Sequence, residues 1–232
     1  MTLELRGVSA GYGRTMVVHD IDLSVPDDGA VSVMGHNGAG KTTLLRAAVG
    51  LIPIRSGSIR LDGADVTRWR PNKRVRKGGL AYVPQGQLSF GQMTTLENLQ
   101  VVADGRRGGK RKLDEVLDLF PVLADLSSRK AGLLSGGQRQ QLSIARALIT
   151  EPRMLILDEP TEGIQPNVVA DIERVIVALT QTGGLSVLLV EQHVGFALRA
   201  AGSYYVLESG RITSSGAGGE GAISDVRAAM AV

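Results

Sequence analysis

Short apolar runs set between turn residues dominate the first part of the chain. Residues 3–8 and roughly 17–34 alternate or cluster apolar side chains, and Gly11-Tyr12-Gly13 and Asp27-Asp28-Gly29 punctuate them. That pattern predicts strands joined by turns. Ala30 to Met34 is a compact apolar strand, and Thr42 to Leu51 carries helix-forming residues after a glycine-rich loop, a strand–loop–helix unit. The period changes from Gln85 to about Pro152: Leu96, Leu99 and Val102, then Val116, Leu117, Phe120 and Leu123, recur at helical spacing, interrupted by Asp104 to Lys112. We expect a helical subdomain over 85–150, inserted into a core made of 1–84 and 151–213. The runs Met154 to Leu157 and Ser186 to Val190 fit buried parallel strands. Gly216 to Gly221 reads as a flexible linker before Ile223, Val226 and Met230, which are spaced for one short docking helix, so 214–232 forms a linker and helix. No internal repeat is visible.

With 232 residues, 43% of them hydrophobic, the chain has material for one large domain and a substantial core. Aromatics are only 3%, too few for a base-stacking nucleic-acid platform. The net charge of +3 is mild, and the basic stretches Arg68 to Lys77 and Arg106 to Lys112 read as solvated loops. The absence of cysteine excludes disulfides, thiolate metal sites and cysteine nucleophiles. Met1 to Leu5 lacks a basic-then-apolar signal pattern and reads as the start of a strand. Apolar runs such as Leu185 to Val190 fall far short of the ~20 residues a bilayer span needs, so a membrane role is expected to come through partners.

The chemistry concentrates in three places. Gly35-His36-Asn37-Gly38-Ala39-Gly40-Lys41-Thr42, followed by Thr43, is a complete phosphate-binding loop. Glycines 35, 38 and 40 let backbone amides, including those of Asn37 and Ala39, approach an anion closely, and the next helix offers it the positive end of its dipole. Lys41 supplies a point charge for the β- and γ-phosphates, and the Thr42 hydroxyl is a Mg²⁺ ligand. Second, Met154 to Leu157 ends in Asp158-Glu159, two carboxylates at the carboxyl edge of a predicted parallel sheet. Alone, the pair fits an acidic turn after a buried strand better than a site. With the phosphate loop upstream, Asp158 reads as a metal-holding carboxylate and Glu159 as the group that polarises attacking water. Third, Ser135 and Gln138 form a Ser-x-x-Gln capping box opening a helix that runs to about Thr150, with Gly136 and Gly137 in its first turn. Such a helix start suits a second phosphate.

Leu134-Ser135-Gly136-Gly137-Gln138, lying between that loop and those carboxylates, resembles the ATPase subunits of ABC transporters, and the likeness extends from Leu3 to Arg211. The resemblance implies a single ABC ATPase domain over 1–232. Its fold would be α/β: a P-loop NTPase core of the ABC type, with a mixed, largely parallel sheet, flanking helices, an antiparallel β subdomain and the inserted helical subdomain. ATP and Mg²⁺ would be its ligands. By resemblance, Tyr12 stacks on adenine, Gln85 senses the γ-phosphate and metal while facing a membrane subunit, and His193 is the switch histidine at the γ-phosphate. His19 and His36 receive no catalytic role. Two subunits would close head to tail, each Ser135 helix completing the partner's site. The second ATPase subunit would be identical or different, working with two membrane permeases and, indirectly, an extracytoplasmic solute-binding protein, at the cytoplasmic face of the bacterial inner membrane, with no nucleic acid.

The segment Thr161-Glu162-Gly163-Ile164-Gln165-Pro166 departs from the commonest family pattern, because many members carry aspartate where Gln165 stands. It is most similar to urea-transporting relatives within the hydrophobic amino-acid uptake group. Phe120-Pro121-Val122-Leu123 and the terminal Asp225-Val226-Arg227 to Ala231-Val232 fit the same subgroup. Urea or short amides are the implied cargo, with branched-chain amino acids as runner-up. The readings from other classes are a soluble ABC-type ATPase acting on DNA or ribosomes and a nucleotide-gated module with little turnover.

Overall fold

A computed structural model describes residues 2–181 and 183–230; Met1, Thr182 and the terminal Ala231 and Val232 lie outside the described residues. Two sheets carry the fold. In the first, β1 (Leu3–Tyr12) and β2 (Thr15–Val25) form a hairpin closing at Tyr12 opposite Thr15, and β4 (Ile54–Leu61) and β5 (Ala64–Asp65) extend it to the antiparallel order β2-β1-β4-β5. The second sheet is built on β3 (Ala30–Met34), β6 (Leu80–Val83), β7 (Met154–Asp158), β8 (Ser186–Val190), β9 (Ser203–Glu208) and β10 (Arg211–Ala217). Its order is β10-β9-β3-β8-β7-β6, with only the β9–β10 pair antiparallel. Every residue of β3, β7 and β8 is buried, the expected state of parallel strands covered on both faces.

The helices start where local chemistry allows. α1 (Lys41–Val49) follows the phosphate loop and stops at Gly50, a left-handed C-cap. α2 (Pro71–Gly78) opens on proline. α3 (Thr95–Ala103) has the Thr94/Glu97 capping box, α4 (Gly109–Leu119) follows left-handed Gly108, and α5 (Pro121–Asp125) again opens on proline. α6 (Gly136–Ile149) has the expected Ser135/Gln138 capping box. α7 (Pro166–Gln181) and α8 (Val194–Ala200) connect the later strands, and α9 (Ile223–Met230) closes the described chain. Leu99, Val116 and Leu123 of α3–α5, with Phe120 at the junction of α4 and α5, share one core with α6 and with Leu155, Val187 and Leu189 of the main sheet. The opposite face of that sheet packs with α1 on the antiparallel sheet.

Three expectations need correction, and one apolar position proves to lie outside the core. Arg68 to Lys77 is not a solvated loop: residues from 71 onward form α2, and Arg74 is almost wholly buried because its guanidinium meets four backbone carbonyls. The interruption at Asp104 to Lys112 is shorter, since α4 begins at Gly109; the second half of the basic stretch Arg106 to Lys112 is therefore helical. Leu96 lies exposed, because the buried face of α3 is set by Thr95, Asn98, Leu99 and Ala103. Gly216 to Gly221 is not a flexible linker. Gly216 and Ala217 finish β10, beyond the expected boundary at 213, and the Tyr204 ring covers Gly216 so closely that a Cβ there would sit 3.1 Å from it. Val226 of α9 is fully buried in a cluster with Met34, Ala197, Leu198 and Val206.

Candidate active site

The adjacent parallel strands β3, β8, β7 and β6 all deliver their carboxyl ends to one edge of the sheet, where ligands of open α/β sheets bind. From β3 the chain enters the phosphate loop. Two glycines there are required by geometry: Gly40 has φ +105°, and a Cβ on Gly35 would lie 2.2 Å from the Leu207 carbonyl oxygen. Lys41 is buried, with Nζ donating to the carbonyls of Gly35 at 2.8 Å and His36 at 3.1 Å. The His36 imidazole points elsewhere, to the Met230 carbonyl at the end of α9.

β7 ends in Asp158, 1% exposed. Burial pushes its carboxyl above the ordinary range; the Tyr82 hydroxyl, donating at 3.0 Å, opposes this, and neighbouring Glu159 adds to it. The Thr42 hydroxyl lies 3.5 Å from Asp158 Oδ1. Burial, and next the Asp158 charge, raise the Tyr82 phenol well above its usual value, so it remains a donor. Glu159 sits in the left-handed region at φ 48°, a conformation costing a non-glycine residue on the order of 1 kcal/mol, and its N–H bonds the Val190 carbonyl at 2.9 Å. This turn aims the carboxylate back into the phosphate loop. Glu159 Oε1 pairs with Lys41 Nζ at 3.1 Å, both side chains being buried.

Gln192, which the sequence did not single out, holds the other oxygen. Its Nε2 donates to Glu159 Oε2 at 2.8 Å and to Asn37 Oδ1 at 2.9 Å. Glu191, also not foreseen, is 2% exposed and accepts from the Thr161 N–H and hydroxyl and from the N–H groups of Gln192 and His193. It locks the turn after β8. In that locked turn His193 faces the Thr161 hydroxyl, 3.1 Å from Nδ1, with 63% of its side chain exposed. Where the sequence reading sets His193 at the phosphate site, the structure instead brings the neighbouring Gln192 to Glu159 and the loop.

A cavity of about 320 Å³ opens between these groups, lined among others by Asn37, Gly38, Lys41, Thr42, Gln85 and Glu159, with Gly40 and Thr43 also on its wall. Gln85 donates to Glu162, one turn beyond Glu159. Tyr12 stands outside this lining with a half-exposed ring; its hydroxyl accepts from Arg46, four residues beyond Thr42 on α1. Ser135, Gly136, Gly137 and Gln138 also lie outside it. There the Ser135 N–H and Gln138 Oε1 meet at 2.9 Å, and a Cβ on Gly137 would lie 2.5 Å from Val168, so the start of α6 packs tightly on the segment after Gln165.

The donor set suits Mg²⁺ carried by a phosphate. Among the described residues no cluster of three or more histidines, cysteines or carboxylates forms a metal cage. Instead one hydroxyl, Thr42, meets one buried carboxylate, Asp158, the sparse protein ligation of a magnesium ion that is otherwise bound by substrate phosphates and water.

A family profile described as ABC transporter matches residues 18–162, from β2 through the phosphate loop and α6 to the carboxylates. The chain belongs to the ABC transporter family. Among its relatives, a probable branched-chain amino acid transport ATP-binding protein of Archaeoglobus fulgidus is 38% identical over 92% of this chain and 91% of its own. A high-affinity branched-chain amino acid transport ATP-binding protein of Pseudomonas aeruginosa is also 38% identical, over 88% of each. A lipopolysaccharide export ATP-binding protein of Haemophilus influenzae is 33% identical over 92% of this chain and 90% of its own. The fold matches a solved ATP-binding cassette of an ABC transporter with TM-score 0.87 and 26% identity, covering 100% of this chain and 98% of that one. A nucleotide-free cassette gives TM-score 0.86, also at 26% identity, over 98% and 95%. This ABC protein is thus an ATP-binding subunit and an ATPase with the α/β cassette fold, and among the described residues no helix is long and apolar enough to cross a membrane.

Proposed function

We propose that this ABC ATPase drives import of a small solute, urea or a short amide, through membrane permeases. The observation that carries the hydrolytic part is the meeting of Lys41, Thr42 and Glu159 around one cavity, with buried Asp158 behind the Thr42 hydroxyl. In this reading Lys41 exchanges Glu159 for the β- and γ-phosphates of ATP. Gly38, Ala39 and Gly40 cradle them, with Asn37 and Thr43 beside them, and Tyr12 takes the adenine. Thr42 and Asp158, with Gln85, would hold Mg²⁺, which would supply charge neutralisation on the phosphates. Glu159, freed from Lys41, accepts a proton from the water that attacks the γ-phosphorus, as the bond to the β-phosphate oxygen breaks and ADP leaves with that electron pair.

The start of α6 lies off this cavity, which favours its serving a second subunit's ATP: Ser135 to Gln138 would stabilise transition-state charge across a head-to-tail pair. The second ATPase subunit is a copy of this chain or a different one. The working assembly would hold two permeases and rest on the cytoplasmic face of the bacterial inner membrane, served by an extracytoplasmic binding protein.

The cargo reading rests on Thr161-Glu162-Gly163-Ile164-Gln165-Pro166, with Gln165 in place of the usual aspartate, which resembles urea-transporting members. The two relatives named for branched-chain amino acid transport support branched-chain amino acids as the second reading. Uptake of radiolabelled urea and of leucine, in cells with and without this gene, separates them. Loss of urea uptake alone supports the first reading; loss of leucine uptake alone replaces it with the second. Co-purification with ribosomes or DNA and no membrane protein would overturn transport.

A further inference from the structure

We infer that His36 is a positioning residue for nucleotide binding, tying the phosphate loop to α9 so that this helix serves as an outer brace of the loop. The inference rests on the reading of residues 35–42 as the loop that receives the ATP phosphates. His36 is exposed and lies outside the lining of the cavity. Its imidazole reaches 194 positions along the chain instead, to the Met230 carbonyl. A carbonyl oxygen only accepts, so Nε2 carries the proton in this contact. Met230 ends α9, where carbonyls lack intrahelical partners and the negative end of the helix dipole favours a donor.

α9 is held in place independently of His36. Val226 is fully buried in a cluster with Met34, Ala197, Leu198, Tyr204 and Val206, and Ile223 and Met230 pack against the same cluster. Met34 immediately precedes Gly35, so the helix rests where β3 enters the loop. The chain leading to α9 is tied down as well. The Gly218 N–H donates to the Gly202 carbonyl at 2.8 Å, and the Gly219 N–H to the Leu198 carbonyl at 2.9 Å. On the loop side, the His36 carbonyl accepts from the Ala39 N–H at 3.1 Å and from Lys41 Nζ at 3.1 Å. Lys41 gives up that carbonyl when phosphates arrive. The turn then relies on its remaining ties, among them the imidazole contact with α9 and the Gly210 N–H on the Ala39 carbonyl at 2.9 Å. Both of these come from the C-terminal part of the chain. A loop that binds anions through backbone amides gains affinity when the amides are held before the ligand arrives.

The test is the affinity of the purified subunit for a fluorescent ATP analogue and, by competition, for inorganic triphosphate, beside amide hydrogen exchange over the loop. His36→Phe keeps a ring and removes the donor, whereas His36→Gln keeps an N–H. A chain ending at Arg227 keeps Val226 and removes the Met230 carbonyl. The fourth variant combines this truncation with His36→Phe, and Lys41→Ala is the fifth. Melting temperature checks folding in each; if the truncated chain does not fold, the two His36 variants decide by themselves. His36→Phe and the truncated chain should each weaken both ligands by ~3- to 10-fold, the effect of one hydrogen bond. Triphosphate follows ATP because only the loop is disturbed. The amides of residues 37–41 should exchange faster in both variants. His36→Gln should stay within about twofold of the parent. The combined variant should bind no more weakly than the weaker single one, because both changes break the same contact.

A loss of less than about threefold in His36→Phe, an equal loss in His36→Gln, unchanged exchange in the loop, or losses that multiply in the combined variant would overturn the assignment. Parent-like binding of ATP by Lys41→Ala removes the loop reading itself. Lost binding there beside an unaffected His36→Phe removes only the tie to α9.

Discussion

Replacing Arg74 by alanine should destabilise this ATPase far more than an ordinary basic surface residue would. Arg74 is 2% exposed, and its guanidinium donates to the carbonyls of Ala47 at 3.0 Å, Ala48 at 2.5 Å, Thr67 at 3.1 Å and Trp69 at 3.2 Å. Ala47 and Ala48 lie in the last turn of α1, where carbonyls lack intrahelical partners and the helix dipole favours a cation. Burial lowers the Arg74 pKa from 12.5 to about 10, which corresponds to a cost of roughly 3 kcal/mol for keeping the charge. Each hydrogen bond to a charged group contributes about 1.5–3 kcal/mol, so four of them outweigh that cost by roughly 3 kcal/mol even at the low end. For a chain of this size, 1 kcal/mol corresponds to about 2–4 °C, giving a fall of roughly 6–12 °C in melting temperature for Arg74→Ala. Arg74→Lys keeps the charge but not the planar fork, and should recover only part of the loss. Differential scanning calorimetry is the assay. A melting temperature within about 2 °C of the parent for Arg74→Ala would refute the staple and restore a solvated basic segment.

Glu159→Gln should retain ATP binding and lower turnover by ~10²-fold or more, read by fluorescent-nucleotide titration beside phosphate release; near-normal turnover would remove the base from its role. Ser135→Ala should spare ATP binding by the monomer yet weaken the ATP-dependent pair, followed by light scattering; collapse of monomer binding would sink the two-sided site. Asp158→Asn should raise the melting temperature at pH 7 while abolishing hydrolysis. Burial lifts the folded-state pKa of Asp158 above 3.8, so the native form binds more protons than the unfolded chain just above that value. Stability then falls as pH rises through that window, and the penalty remains at neutral pH. The gain from Asn should shrink toward acid; a variant less stable at pH 7 would contradict it.

Much of the fold was legible because its signals are local. The buried strands β3, β7 and β8 announce themselves as apolar runs, and the capping box at Ser135 needs only four residues to be read. The phosphate loop and Asp158-Glu159 were legible for the same reason. What escaped depends on contacts between distant segments. Arg74 looks like any other residue of a basic stretch until α1 brings its carbonyls alongside. Gly216 looks like a linker glycine until Tyr204 covers it. Tyr82 carries no motif of its own, although its place three positions before Gln85 and next to buried Val83 is a signal that it lies at the same sheet edge. The turn after β8 is the same kind of case: buried Glu191 gathers four donors there, Gln192 meets Asn37 and Glu159, and His193 meets Thr161.

The strand order explains why the residue after β8, rather than one from another turn, couples the two halves of the site. The phosphate loop leaves β3 and the two carboxylates leave β7, and these strands are not neighbours: β8 lies between them, paired in parallel with both. A segment leaving β8 at the same edge is flanked by the loop on one side and by Glu159 on the other. Gln192 contacts both, Asn37 and Glu159. Of the other parallel strands, β9 adjoins β3 but not β7, and β6 adjoins β7 but not β3, so neither exit has this double adjacency. Sequence separation hides the relation, since Asn37 and Gln192 lie 155 positions apart. The topology makes their meeting a consequence of inserting β8 between the strand that leads into the glycine-rich loop and the strand that ends at Asp158, next to Glu159.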